Sequence, residues 1–283
     1  MNVILPVDNK MNLYRKLIYI IAIAVCIISI PLAVYFQYYK NKNTTKPNNE
    51  IQQEIIDKEQ ITKDEFNNIF TNELKTDIQY DFEKTYEQYD LVFTRIKGDK
   101  IENGKYNISL NIPYINIKQD IADEYNNKIS EIFYEKAKNV MQNSGNDNII
   151  YTVQYVATIK DNILSLIIKS NLKEGDNAQR VIIQTYNYDI LQQKKVTLED
   201  ILNSKGIKEA YAENKIKEEI EKSQSQVTEL EKLGYTIFKR NPESDIYKIS
   251  NTTEFYIDGD DNLYLIYAYG NSSMTSEMDI VLF

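Results

Sequence analysis

The chain has 283 residues, among them 33 Lys and Arg, 42 Asp and Glu, 23 Tyr, one Cys and neither His nor Trp. The lack of imidazole excludes Ser-His-Asp and Cys-His catalysis and the HExxH zinc helix, and a single cysteine excludes an internal disulfide or a CxxC site. We therefore expect neither a metal nor a cofactor. The tyrosines accompany plentiful Ile, Asn and Lys, which favours AT-rich coding, with Tyr in positions that Phe or Trp fills elsewhere.

An uncharged apolar stretch from Leu17 to Phe36 is 20 residues long, enough for a helix to cross the roughly 30 Å hydrocarbon layer of a membrane. It predicts an uncleaved transmembrane helix over 17–39, with Cys26 as a small apolar residue inside it. A cleaved signal peptide is the alternative, but no small-residue cleavage site follows the stretch. Because a short tail before a first hydrophobic segment usually stays inside, residues 1–16 are predicted to be cytoplasmic and the remainder extracytoplasmic. Met11 is an alternative start.

The part of the chain after Pro47 is strongly acidic. Six of the 33 basic residues and one of the 42 acidic residues precede this proline, which leaves a net charge of about −14 for the remainder. Such a charge would repel nucleic acid and anionic lipid. We therefore expect neutral or cationic partners, the membrane contact being limited to the Leu17–Phe36 stretch, and no nucleic acid.

Residues 40–50 are polar and contain a proline, which predicts a linker. Apolar residues then recur at steps of three and four, which predicts a stalk helix over 51–80. The helix is expected to be interrupted near Thr62, because Thr62 and Glu65 form a capping-box pattern. A coiled-coil pairing helix is the alternative, although the repeat is not sustained over enough heptads.

The segment 81–180 is predicted to be an α+β domain. It consists of a β-hairpin and further strands, which one long helix covers. Two alternating segments, Tyr89–Lys97 and Tyr106–Ile117, flank a turn and predict the β-hairpin. Helical spacing follows from Ile117 to Met141. Three further strands are predicted, over Ile149–Thr158, Ile163–Ser170 and Arg180–Tyr188.

The segment 181–283 is predicted to be a second α+β domain. It contains a short helix from Thr197 to Leu202 and a long, highly charged helix from Ile207 to Leu233. Three strands follow, over Glu254–Ile257, Leu263–Tyr269 and Met278–Phe283. The predicted fold class is therefore α+β, with two small lobes in which antiparallel sheets pack on helices.

Four tyrosines on or beside two of these strands are the candidate ligand-binding residues: Tyr256, Tyr264, Tyr267 and Tyr269. Strand alternation places Tyr267 and Tyr269 on one face and Tyr264 on the other. If exposed, these rings would form a platform for sugar rings or for a cationic protein such as lysozyme, which the acidic domain would attract. The alternative is a core in which Tyr replaces Phe.

Asp258, Asp260 and Asn262 alternate as ligands do in a calcium loop, but the rest of the pattern is missing. Leu263 stands at position six, where the loop needs Gly, and Tyr269 stands at position twelve, where it needs Glu. A simple turn is therefore predicted. With 42 acidic residues, an acid-pair glycan hydrolase stays open as an alternative function, but no catalytic residue is assigned.

The order of three segments carries a family resemblance: Ile182–Asp189, then Lys195–Leu202 followed by a long helix, then Phe255–Tyr267. In this order the sequence resembles the C-terminal domain of unknown function in RsiV/PdaC-type extracytoplasmic modules. The hairpin, long helix and strands before it resemble the PdaC-like companion domain. Together the resemblance covers Tyr86 to Phe283.

The resemblance implies a single-pass, membrane-anchored, non-enzymatic binding or sensing module of a Gram-positive cell envelope, with peptidoglycan or a muramidase such as lysozyme as ligand. PdaC-like proteins place this module before a peptidoglycan deacetylase domain, whose metal chemistry needs histidines that this chain lacks. RsiV-like proteins bind lysozyme and hold a sigma factor through a cytoplasmic tail, for which about 16 residues are too few. An accessory regulator of an envelope-stress pathway is therefore an alternative to a binding module.

Overall fold

The structure is a computed structural model that describes residues 62–76, 80–145 and 147–283. The predicted cytoplasmic tail, transmembrane helix and linker, and the stalk up to residue 61, lie outside the described residues. Within the described ranges, no helix combines the length and the apolar character needed to cross a bilayer.

In the described residues, ten strands form two sheets. The first sheet contains β1 (Leu74–Lys75), β2 (Val92–Glu102), β3 (Tyr106–Ile115), β4 (Ile149–Lys160), β5 (Ile163–Lys173), β6 (Arg180–Asp189) and β7 (Lys194–Lys195). The second sheet contains β8 (Phe255–Ile257), β9 (Leu263–Ala268) and β10 (Met278–Leu282). The α-helices are α1 (Lys63–Asn68), α2 (Asp120–Ile129), α3 (Glu135–Asn143), α4 (Leu198–Ser204), α5 (Glu209–Lys232) and α6 (Gly270–Ser273). A π-helical turn, Ser130–Tyr134, joins α2 to α3, and two short 3₁₀ turns, Asp245–Tyr247 and Ile249–Asn251, precede β8.

The first sheet has the strand order β2-β3-β4-β5-β6-β7, with β1 beside β4. Neighbouring strands are antiparallel except for β3 and β1, which both run parallel to β4. A parallel pair needs a long crossover, and α2, the π-turn and α3 provide it between β3 and β4. The apolar side of this crossover, which includes Tyr125, Phe133 and Val140, covers one face of the sheet.

The predicted division between residues 180 and 181 falls at the start of β6, and β6 belongs to the first sheet. Its residues pair antiparallel with β5 from Arg180, opposite Leu172, to Asp189, opposite Ile163. The strand pairing places β6 in the same sheet as the strands before it.

The second sheet is antiparallel, in the order β8-β9-β10, and lies between two layers. One face packs against α4 and α5. The other face packs against side chains of the first sheet, among them Val156, Ile167 and Ile183. The described part therefore has four layers, helix, sheet, sheet and helix, which confirms the mixed α+β class with sheets packed on helices.

The described part of the predicted stalk helix is helical only over α1. The predicted capping box is confirmed, because the N–H of Glu65 donates to Thr62 Oγ1 at 3.2 Å and the N–H of Thr62 donates to Glu65 Oε2 at 2.7 Å. The helix ends before Asn72, which has a φ of 60° and donates its N–H to the carbonyl of Tyr155 in β4 at 2.8 Å. The chain then pairs with β4 as β1, so pairing with the sheet replaces the predicted helix.

Candidate functional site

The four tyrosines predicted to bind a ligand lie in the core. Their exposed fractions are between 1% and 7%, so their ring faces are not accessible to a ligand. Tyr267 and Tyr269 pack on the helical side of the second sheet, whereas Tyr256 and Tyr264 pack towards the first sheet. The predicted alternation along β9 is therefore correct, but both faces are covered. In this structure the four rings do not form a binding platform. They are part of the hydrophobic core, as in the alternative interpretation in which Tyr replaces Phe.

The turn between β8 and β9 has the simple form that the sequence predicts. Asp258 Oδ1 accepts hydrogen bonds from the backbone N–H groups of Asp260 and Asn262, both at 2.9 Å. Asp258 Oδ2 accepts from the hydroxyl of Tyr264 at 2.8 Å. Across the described part of the chain, no cluster of three or more acidic or cysteine side chains has a geometry that could hold a metal ion.

An accessible aromatic cluster lies elsewhere, where the chain enters β2. We call it the aromatic patch, and it consists of Tyr86, Tyr89, Phe93 and Tyr114. Tyr89 is 46% exposed and stacks on Phe93, with ring centroids 4.3 Å apart and planes inclined by 12°. Tyr86 meets Phe93 and Tyr114 edge-on, with centroids 6.3 Å and 5.6 Å apart. The rings thus support one another. Tyr89 is exposed and Tyr86 and Phe93 are half-buried, whereas Tyr114 is buried.

The side chain of Asn116 fixes the loop that carries two of these rings. It is fully buried, and its Nδ2 donates to the carbonyl oxygens of Tyr86 at 2.8 Å, Tyr89 at 3.3 Å and Asp90 at 3.0 Å. Its Oδ1 accepts from the N–H of Tyr86 at 2.8 Å. One amide group therefore contacts four backbone groups of the loop, with its two N–H hydrogens shared among three carbonyl oxygens. A loop held in this way is ordered before a ligand arrives, which lowers the entropic cost of binding.

A cleft of about 500 Å³ adjoins the aromatic patch. We call it the hairpin cleft, because β2 and β3 form one wall and α2 with the π-turn forms the other. Its lining residues are Arg95, Ile96, Ile112, Pro113, Tyr114, Asp123, Asn126, Asn127, Ile129, Ser130 and Tyr134. Arg95 links the cleft to the patch, because its Cζ lies 4.5 Å from the ring centroid of Tyr114 and 5.9 Å from that of Tyr86.

Both walls of the hairpin cleft depart from regular secondary structure. The pairing of β2 with β3 shifts by one residue at Arg95, which is the extra residue of a β-bulge. Pro113 lies opposite this bulge and has no N–H to give to the ladder. In the other wall, the π-helical turn Ser130–Tyr134 contributes its first and last residues to the lining. Bulges re-aim side chains, and both irregularities are frequent at functional sites.

The polar groups of the cleft carry one charge of each sign. Arg95 is exposed and forms no ion pair with any described residue. Asp123, also exposed, is the one carboxylate among the lining residues. Asn127, Ser130 and Tyr134 add amide and hydroxyl groups that can both donate and accept.

Asn126 serves the fold rather than the cleft. Its Nδ2 donates to the carbonyl of Ile115 at 2.9 Å and its Oδ1 accepts from the N–H of the same residue at 2.8 Å. This pair of bonds continues the ladder of β3 onto α2 and sets the distance between the two walls. A concave site with a few convergent polar groups beside aromatic rings is suited to a cyclic, hydroxylated ligand.

The alternation of Tyr89–Lys97 predicts a strand but does not predict this site. A signal was present, because Tyr86, Tyr89 and Phe93 precede Arg95, one of four arginines in the chain, within ten residues. The second wall has no such signal. The contact of Asp123 and Ser130 with the same cleft depends on the path of the crossover between β3 and β4.

No family model matches this sequence, and no curated protein matches it. Among solved structures, a DUF3298 family member from Bacteroides fragilis is similar over 66% of this chain and 88% of its own, with a TM-score of 0.36 and 15% identity. A DUF3298 family protein from Pseudomonas aeruginosa is similar over 64% of this chain and 83% of its own, with a TM-score of 0.37 and 12% identity. Similarity at this level gives neither a family nor a function for this chain.

Proposed function

We propose that this protein is a membrane-anchored, extracytoplasmic module that binds cell-wall glycan at the aromatic patch and the hairpin cleft. The observation that carries the proposal is the continuity of the two features through Arg95 and Tyr114. The exposed ring of Tyr89 and the half-buried rings of Tyr86 and Phe93 offer apolar surface to the faces of pyranose rings. The amide, hydroxyl and carboxylate groups of the cleft offer partners for sugar hydroxyl and acetamido groups. The anchor rests on the uncharged stretch Leu17–Phe36.

The composition of the cleft leads us to propose binding rather than hydrolysis. Glycoside hydrolysis generally uses two carboxyl groups about 5 to 10 Å apart. Asp123 is the one carboxylate in the lining of the hairpin cleft, and Arg95 is the one cation. Such a site can orient a sugar, but it lacks the acid and base pair of a glycosidase.

A titration with soluble peptidoglycan fragments tests the proposal. We expect the detergent-solubilised full chain to bind them in calorimetry, and Tyr89→Ala to weaken the affinity by about two- to tenfold, because the variant loses one stacking ring. Tyr235→Ala is the matched control, since Tyr235 is 62% exposed and lies outside the patch. Absence of binding by the unaltered protein, or an equal effect of both variants, would contradict the proposal.

A cationic protein such as lysozyme is the second candidate partner, favoured by the net charge of about −14 after Pro47. Its binding would spread over acidic surface, so it would weaken strongly with salt and respond little to Tyr89→Ala. The same titration with lysozyme in place of glycan separates the two candidates.

A further inference from the structure

The position of Arg95 and its lack of an ion-pair partner among the described residues indicate which class of glycan the cleft binds. The bulge at Arg95 turns this side chain towards the cleft, where its guanidinium group lies against Tyr114 and Tyr86. Contact with two rings restrains the guanidinium plane through cation–π attraction. The N–H groups at its edge remain available, because no hydrogen bond or ion pair to Arg95 occurs among the described residues.

Arg240 is an arginine with a structural role and provides a comparison for Arg95. Its Nε donates to Asp279 Oδ2 at 2.7 Å and its Nη1 donates to Glu277 Oε2 at 2.9 Å, and the side chain is buried. Arg95 differs from Arg240 in two respects, because it is exposed and no carboxylate of the described residues pairs with it. The net charge after Pro47 favours neutral or cationic partners for the protein as a whole, but Arg95 presents a localised cation to a ligand in the cleft.

We propose that the bound glycan carries a sugar carboxylate and that Arg95 binds it. This inference rests on the proposed glycan-binding function and specifies the ligand class. A planar carboxylate accepts two parallel N–H bonds from a guanidinium group. A phosphate dianion would be repelled more strongly by Asp123 in the same cleft. Asp123, Asn127 and Ser130 then bind the hydroxyl and acetamido groups of the sugar.

Two tetrasaccharides, one without and one with carboxylate groups, provide the test. One is neutral chitotetraose, and the other is the alternating tetrasaccharide of N-acetylglucosamine and N-acetylmuramic acid, whose lactyl groups carry carboxylates. We expect the full chain to bind the acidic sugar about tenfold or more tightly than the neutral one, as a charge-assisted hydrogen bond would give. Methyl esterification of the lactyl groups should abolish that preference without any change to the protein.

Variants of the protein complete the test. Arg95→Gln should abolish the preference for the acidic sugar, and Arg95→Lys should retain part of it, because lysine keeps the charge without the planar fork. Lys97→Gln is the control, since Lys97 is an exposed cation on the same strand and does not line the cleft. Thermal unfolding of each variant verifies that the fold is intact.

The outcomes for the ligand class and for the function can be distinguished. Equal affinity for the neutral, acidic and esterified sugars, with sensitivity to Tyr89→Ala, would overturn the carboxylate inference and leave glycan binding in place. A preference for the acidic sugar that survives Arg95→Gln would also overturn it. If none of the three sugars binds to the protein, the proposed function and this inference are both overturned.

Discussion

Glu254 is an acidic side chain held between the two sheets. It is only partly exposed, and its Oε2 accepts from the N–H of Thr185 at 2.6 Å and from Thr185 Oγ1 at 3.1 Å. Burial raises its pKa to about 7, although the hydrogen bonds from Thr185 act in the opposite direction. The folded protein therefore keeps a proton on Glu254 at pH values where the unfolded chain has lost it.

This difference predicts a pH dependence of stability. Because the folded pKa of about 7 exceeds the ordinary value of 4.5, the stabilising contribution is complete below about pH 4.5 and is lost as the pH rises through 7. We expect Glu254→Gln to remove this dependence and to raise the free energy of unfolding at pH 8 by roughly 2–3 kcal/mol. Urea unfolding at pH 4.5 to 8 checks this, with exposed Glu87→Gln as the control. Equal pH profiles for Glu254→Gln and the unaltered protein would contradict it.

At the scale of elements, the sequence predicts most helices and strands but not their local irregularities or the pairing of short edge segments. The alternating segments predict β2 and β3, and the helical spacing predicts the crossover from α2 to α3, because periodicity reports the buried face of an element directly. It did not give the π-turn, the bulge at Arg95 or the pairing of β1. Two of these depend on contacts with other segments, because β1 pairs with β4 and the bulge lies opposite Pro113 in β3. The candidate site is lined by the bulge residue and by the two ends of the π-turn, which periodicity does not predict.

The burial of the predicted tyrosines has the same origin. Alternation along β9 correctly separated Tyr264 from Tyr267, but an alternating strand with one exposed face and a strand covered on both faces have similar patterns when tyrosine replaces phenylalanine. Which layer covers the second face is decided by the first sheet. The hydroxyl groups of Tyr264 and Tyr269 do not keep these side chains at the surface, because each donates a hydrogen bond to a buried or half-buried aspartate.

The free edge of β6 is closed by the short helix α6 and the residues that follow it. The N–H of Val181 donates to the carbonyl of Thr275 at 3.0 Å, and the backbone of Gly270 lies directly against Val181. A Cβ atom at Gly270 would be 2.1 Å from the carbonyl oxygen of Val181 and 2.4 Å from that of Thr275. Such contacts require a backbone shift that opens the edge.

We therefore expect Gly270→Ala to lower the free energy of unfolding by about 2–4 kcal/mol, within the range for steric overpacking and its backbone consequences. Gly259→Ala is the matched control, because a Cβ atom there would meet nothing within 4 Å. Urea unfolding of the two variants checks the prediction. A Gly270→Ala protein as stable as the control would show that the edge accommodates a methyl group.

Polar side chains join the two sheets of the described part of the chain. Asn187 in β6 donates from Nδ2 to the carbonyl of Phe255 at 2.9 Å, and its Oδ1 accepts from Ser165 Oγ at 2.6 Å. Ser165 Oγ in turn accepts from the N–H of Ile257 at 3.0 Å. These side chains therefore satisfy backbone groups of β8 that would otherwise be buried without partners.

Since the sheets share both this network and an apolar interface, we expect the described part to unfold in a single transition. Asn187→Ala leaves buried groups of Phe255 and Ser165 without partners, at about 1–3 kcal/mol each, and so should lower stability by roughly 2–4 kcal/mol. Hydrogen exchange by mass spectrometry should show faster exchange in β4 to β6 as well as in β8 to β10. Asn171→Ala is the control, because Asn171 bonds Thr152 within the first sheet at 3.3 Å. Faster exchange confined to β8 to β10 would show instead that the second sheet opens by itself, and that the two sheets are separate folding units.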